Sequence, residues 1–331
     1  MDPLTHTLTG LALSRAGLNR RSAYATPILL LAANAPDADI LAYLGGPVAY
    51  FHYHRHITHS LAAIPFMALL PVLLVRLFAR KPFDWKWAYL VSLAGVATHP
   101  LLDWMNAYGV RMFLPFSGEW LRLDIASLVD LWIWAALLVA ALAPLLGKLV
   151  SSEIGARPGS GRGIAIFALC FIALYGAGRY VLHSRAVAVL DSRIYDGLAP
   201  VRAAAFPNAA NPFRWTGLVE TAPAYSLFDL NLLGEFDPGE GRTLYKAEPG
   251  PAELAAAEAA RRTVPFKVFL DFSAYPLWRF KTIEDPKPEL HVEVMDLRFG
   301  RPPNPRFVAD ATVDPAGRVE QSGFSYQPRS R

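Results

Sequence analysis

Long apolar runs alternate with short polar clusters over the first 190 or so residues, and the alternation then stops. Residues 61–79, 88–109, 128–147 and 164–182 are each close to the ~20 apolar residues that a membrane-spanning helix needs. Two shorter runs, 4–18 and 23–36, have Arg15, Arg20 and Arg21 at or between them and predict a hairpin of short helices. The opening MDPLTHTLTG carries Asp2 and His6 and lacks a small-residue cleavage signature, so it is read as retained. Past residue 190 the chain is rich in Pro, Gly and charge. LHVEVMDLRF alternates as a strand does, and PAELAAAEAARR at 251–262 reads as a helix with proline in its first turn. PFKVFLDFSAYPLWRF suits either helix or strand, and ARPGSGRG at 156–163 reads as a flexible turn. The pattern therefore predicts an α-helical integral membrane bundle over 1–189, followed by a smaller soluble α+β domain over 190–331.

Composition supports that reading. The chain is 53% hydrophobic and only 18% charged, which excludes disorder and an ordinary water-soluble globule. The net charge of +4 is small and scattered, with no basic stripe of the kind that nucleic acid requires. The single cysteine, Cys170, excludes a disulfide framework and a thiolate zinc cluster, so a metal site in this chain must use nitrogen and oxygen. Basic residues collect after residue 75 (Arg76, Arg80, Lys81, Lys86) and between 148 and 163 (Lys148, Arg157, Arg162). Short cytoplasmic loops are enriched in Lys and Arg, so these two segments are expected in the cytoplasm, with residues 50–60, residue 103 and the C-terminal domain on the opposite side of a bacterial-type inner membrane.

Ionisable groups inside apolar helices are costly, and where they occur they mark functional sites. Four segments carry them: His6 in THTLTG, Asp37 and Asp39 in NAPDADIL, HYHRHITHS from His52 to Ser60, and THPLLDWMN with His99, Asp103 and Asn106. His99 and Asp103 are four apart and share a helix face, with Asn106 extending the stripe, provided that Pro100 falls in the first turn. Asp37 and Asp39 would point to one side in a strand-like turn. Thr58 and Ser60 stand where they can cap the helix that follows, and His59, beside that start, is the best placed of its group. On the expected topology these segments meet at one membrane face. Three histidines and two or three aspartates without sulfur suit Zn²⁺ or another first-row divalent ion, one or two in number, and a pair of ions bridged by a residue such as Asp103 is a known solution for phosphoester hydrolysis by activated water.

The order THTLTG, PDADIL, HRHITHS, THPLLDW resembles the membrane-bound, metal-dependent hydrolase family typified by YdjM, over roughly the first 130 residues. In motif order that family is similar to the all-helical zinc-dependent phospholipase C and P1 nuclease group. The resemblance implies His6, Asp37, His59, His99 and Asp103 as metal ligands, Asp39 and His54 as further ligands or a general base, and Arg55 steadying phosphate charge. A membrane site near the headgroup level favours a phospholipid or other lipid-linked phosphoester as substrate, by its location. Two other readings account for the same polar groups: a proton or metal transporter, and a structural bundle knitted by metal. The expected spans have almost no ionisable residues at other depths, which favours a site opening at one surface.

Overall fold

The computed structural model describes residues 1–82, 84–153, 161–284 and 288–326. Most of the stretch 156–163, expected as a flexible turn, lies outside the described residues. The helices are α1 (Pro3–Ala16), α2 (Ala25–Ala32), α3 (Pro47–Tyr53), α4 (Ile64–Met67), α5 (Leu69–Phe78), α6 (Trp85–Trp104), α7 (Leu131–Glu153) and α8 (Arg162–Asp191). Strands β1 (Arg202–Pro207), β2 (Arg214–Glu220), β3 (Ala224–Asn231) and β4 (Arg242–Tyr245) pair in chain order as one sheet. Helices α9 (Pro251–Arg261) and α10 (Val264–Phe272) precede a second sheet of β5 (Pro276–Ile283), β6 (Glu289–Asp296), β7 (Val308–Val313) and β8 (Val319–Ser325), antiparallel throughout. A helical N-terminal part followed by a smaller sheet-containing part is thus the observed order. The segment 265–280 is both helix and strand: Phe266, Phe269 and Phe272 bury one face of α10 at helical spacing, and β5 begins at Pro276.

The chain divides into two compact units, and the division is not a single cut. The first comprises Met1–Asp39, Arg55–Val219 and Leu227–Gly241; the second comprises Ile40–His54, Glu220–Ser226 and the chain from Arg242 onward.

In the first unit, α1 starts cleanly because Asp2 accepts hydrogen bonds from the amides of Leu4 and Thr5, with Pro3 in the first turn. Glycines set the helix spacing there. A Cβ on Gly10 would stand 2.6 Å from the Leu29 carbonyl oxygen of α2, and one on Gly95 of α6 would stand 2.8 Å from the Ala32 Cβ. Among the described residues, two helices are long and apolar enough to cross a membrane, Leu131–Leu149 and Arg162–Asp191, and the count rises to four if each of two bent helix pairs is one span. The expected span 61–79 is broken into α4 and α5, where Pro65 and Pro71 each remove a backbone donor. The expected span 88–109 ends at Trp104 as α6, whose buried face carries Ser92, His99 and Asp103. Helix α8 outlasts a span: its last turns place Ala186 and Leu190 in a core with Trp215, Val219 and Leu230 of the first sheet.

The second unit has an aromatic core. Phe51 of α3 stacks on Phe324 with centroids 4.2 Å apart and meets Phe272 edge-on at 5.0 Å. Asp296 is fully buried at the end of β6, where it accepts hydrogen bonds from the Ala274 amide at 3.0 Å and from Arg298 Nη2 at 2.7 Å. Burial raises the pKa of this carboxyl, but the Arg298 charge and the hydrogen bonds outweigh it and hold the group below its ordinary 3.8. A depressed folded-state pKa contributes stability that is complete above the unfolded value and lost as pH falls through it.

Two outcomes are expected for this unit. Phe51→Ala lowers its unfolding free energy by about 3–5 kcal/mol, measured by denaturant titration of the full chain. Asp296→Asn, which leaves Arg298 buried without its counter-charge, costs about 3–5 kcal/mol near pH 7, and the variant loses less stability than the parent between roughly pH 5 and pH 2.

Candidate metal centre

Four separate segments of the first unit deliver the polar residues. Helix α1 presents His6 in its second turn. The 3-10 segment Ala35–Gly45 carries Asp37 and Asp39, the short turn Ile57–His59 carries His59, and α6 carries His99 and Asp103. Several local expectations are corrected. Asp37 and Asp39 lie on a 3-10 turn, not a strand-like one, and so reach His59 from two sides: Asp37 Oδ1 is 3.5 Å from Nε2, and Asp39 Oδ2 is 3.4 Å from Nδ1. Pro100 is near the end of α6, far from its first turn, and the Thr98 hydroxyl donates to the Gly95 carbonyl in the turn that the proline disturbs. Asn106 lies past the helix end, where its side-chain oxygen accepts from Arg55 at 3.1 Å. Ser60 accepts from the Ala63 amide and caps a turn instead of a helix, while Thr58 sits 3.1 Å from His59 Nδ1.

The centre of the arrangement is a pair of imidazoles. His99 Nδ1 is 2.6 Å from the carbonyl oxygen of Ala33, which can only accept, so Nδ1 carries the hydrogen. His59 Nδ1 faces Thr58 Oγ1 and Asp39 Oδ2, which assigns its hydrogen in the same way. In their neutral forms both rings then present bare Nε2 lone pairs, and those two atoms are 3.1 Å apart. Asp37 Oδ1 lies 3.4 Å from His99 Nε2, and Asp103 Oδ2 lies 3.5 Å from both Nε2 atoms. Five separations among four donors thus fall between 3.1 and 3.5 Å.

Asp103 divides its labour between its two oxygens. Oδ1 pairs with Arg55 Nη2 at 3.0 Å and accepts from the α-amino group of Met1, while Oδ2 is buried with no hydrogen-bond partner. Both nitrogens of His6 are likewise buried without a hydrogen bond, though its ring stacks on His99 at 3.7 Å and its Nε2 is 3.5 Å from Asp103 Oδ1. His6, His99 and Asp103 form one donor group and Asp37, His59 and His99 another, each with its ligand atoms within 4.8 Å of one another, so that His99 is common to both. These unpartnered atoms, and an all nitrogen and oxygen donor set, fit Zn²⁺ or a similar divalent ion. Cys170 is exposed on α8 and takes no part. The histidines and Asp103 are buried, whereas the side chain of Asp37 remains 28% exposed and marks the accessible side.

Arg55 is buried, and its guanidinium spans Asp103, Asn106 and the Gly109 carbonyl and lies over the Tyr108 ring. Its backbone is in the left-handed region at φ +56°, with its amide donating to Asp39 Oδ2 at 2.9 Å. His54 is in the second unit, where its ring stacks on Tyr50 at 4.9 Å. Sequence reasoning missed two partners that no side-chain pattern announces: the Ala33 carbonyl that fixes the His99 ring, and the α-amino group on Asp103.

The expected outcome for this centre is metal uptake that depends on both imidazoles. Elemental analysis of detergent-purified protein should find a divalent ion that His59→Ala and His99→Ala each abolish. Asp39→Asn, which acts on His59 from behind, should weaken it about 10–100-fold. Undiminished metal in His99→Ala protein would refute the centre.

No solved structure matches the chain. The uncharacterized protein YfhP of Bacillus subtilis (strain 168) is 28% identical over 322 residues, which covers 93% of this chain and 90% of that protein. The family model described as YdjM inner membrane protein matches residues 1–186, a stretch that holds every donor of the centre. With more than half its length matched, including both helices long enough to span a bilayer up to residue 186, this chain belongs to the YdjM family of inner membrane proteins.

Proposed function

We propose that the chain is a membrane-bound, metal-dependent hydrolase of phosphoesters in lipids or lipid-linked molecules. The observation that carries this reading is the three-donor group Asp37, His59 and His99, with one accessible side at Asp37. A purely structural site is closed on all sides by protein ligands, whereas a catalytic one keeps a position open. Phosphoester chemistry in particular rests on the resemblance, read from the sequence alone, of the motif order to that of zinc-dependent phospholipase C and P1 nuclease.

Asp37, His59 and His99, with Asp103 and His6 beside them, would hold a divalent ion, which would supply Lewis acidity for activating water. The chain's own residues prepare that position. Ala33 and Asp39 hold the two imidazoles in the tautomer that leaves Nε2 free. Arg55 occupies one oxygen of Asp103 and so aims the other at the cluster, which makes it a positioning residue. Asp39 acts in the same manner through His59 Nδ1. The basic residues after 75 and around 148–163, of the kind enriched in short cytoplasmic loops, support an extracytoplasmic site and C-terminal part.

The test is turnover by metal-loaded, detergent-purified protein on a panel of phosphodiesters, from bis(p-nitrophenyl) phosphate to long-chain phospholipids. Hydrolysis is expected. His99→Ala removes it, Asp39→Asn lowers it about 10–100-fold, and both variants keep the elution profile of the parent. A metal-loaded protein that cleaves none of the panel, or a His99→Ala variant as active as the parent, refutes the reading. Reporter fusions at residues 84 and 330 should report opposite sides of the membrane.

A further inference from the structure

Beside the donor cluster, α6 carries a second stripe. His99 and Asp103 project toward the metal ligands, while Thr98, Leu101, Leu102 and Met105, spaced by three and four, form the adjoining face of the same helix. That stripe is one wall of a crevice of about 810 Å³ in the first unit. Helix α8 makes the facing wall with Ile172, Ala173, Gly176 and Ala177. Thr9 of α1, three residues after His6, lines it as well.

The chemistry of the walls selects the occupant. The lining is almost wholly aliphatic and aromatic, and its threonine hydroxyls are already spent on their own helices: Thr98 donates to Gly95 and Thr9 to Thr5. The Trp104 indole and the Tyr180 hydroxyl are the other polar groups of the lining. Gly176 lets α8 approach α6 closely, since a Cβ there would stand 3.0 Å from Met105 Cε. Along α8 the lining runs from Leu169 to Tyr180, which at 1.5 Å per residue is about 16 Å, close to half of the ~30 Å hydrocarbon thickness of a bilayer. Helix α8 is itself one of the two helices able to span a membrane, and Tyr180 at one end of the crevice is an aromatic of the kind found at membrane interfaces. Length, apolarity and setting agree on a single chain reaching through one leaflet.

We infer that this crevice holds one acyl chain of a lipid phosphoester, with its headgroup toward the donors on α1 and α6. The occupant's identity as substrate rests on the hydrolase reading, whereas occupancy by a lipid chain does not. A cavity of this size with few polar groups is the usual form of a small-ligand site.

The experiment uses the full chain in vesicles of phosphatidylethanolamine and phosphatidylglycerol, doped with a phosphatidylglycerol whose acyl tail carries a diazirine. After illumination and digestion, label is expected on peptides containing residues 98–105 and 169–180 above the exposed face of α7 around Val139 and Leu142. Ala173→Trp and Ala177→Trp each fill the crevice and should lower that labelling about tenfold, the effect of losing roughly two buried methylene contacts, with metal content and melting temperature unchanged. Either variant suffices if the other fails to fold. Label spread evenly over all lipid-facing helices, or labelling that neither tryptophan reduces, would overturn the proposal. So would a parent protein that runs as a dimer and an Ala173→Trp protein that runs as a monomer, because the crevice would then belong to a second copy. Failure of the parent to cleave soluble phosphodiesters refutes the hydrolase reading alone, since the labelling pattern decides the crevice independently.

Discussion

Two imidazole nitrogens 3.1 Å apart, with Asp37 Oδ1 and Asp103 Oδ2 each within 3.5 Å of both, gather donor atoms in a buried space that could hold a metal ion. Arg55 and the α-amino group of Met1 compensate the charge of Asp103 at its other oxygen, which leaves Oδ2 facing the two rings. Much of the first unit is organised to maintain this arrangement: glycines that let α1, α2 and α6 approach, a carbonyl aimed at one ring, an arginine neutralising the far oxygen of Asp103.

The route of the chain adds a second constraint. It leaves the first unit at Asp39 and returns at Arg55, so the donors Asp37 and His59 flank a segment that belongs to the core of the other unit. Phe51, packed among Phe324, Phe272 and Phe269, anchors that segment. At the point of return the backbone of Arg55 takes a left-handed conformation, which costs a non-glycine residue about 1–2 kcal/mol, and its amide reaches Asp39 Oδ2 at 2.9 Å. One hydrogen bond thus closes the two ends of the excursion, on the carboxylate that also orients His59.

The ligand types were legible because the bilayer makes them conspicuous: an acid or histidine in an apolar run needs a reason, and His6, Asp37, His59, His99 and Asp103 were each visible on that ground. Helix α9 and strand β6 were legible from proline placement and alternation. What escaped was local geometry. Apolar content at 61–79 masked the proline breaks between α4 and α5, and residue spacing alone could not tell a 3-10 turn from an extended one at Asp37 and Asp39. Nor does composition reveal that α8 continues past membrane depth to seal the first sheet, or that residues 40–54 are donated to the core of the second unit, because both depend on contacts between positions far apart in the chain.

Helix α6 divides its surface between two kinds of chemistry. Its polar face turns inward to His6, His59 and Arg55, and the adjoining apolar stripe lines a crevice whose other wall is α8, a helix long and apolar enough to cross a membrane. Burial of apolar surface is favourable by ~0.8 kcal/mol per methylene, whereas a buried polar group must be paired, so each face can be satisfied only by a neighbour of its own kind. Two adjoining faces of one rigid element, one polar and one apolar, hold that division at a fixed separation.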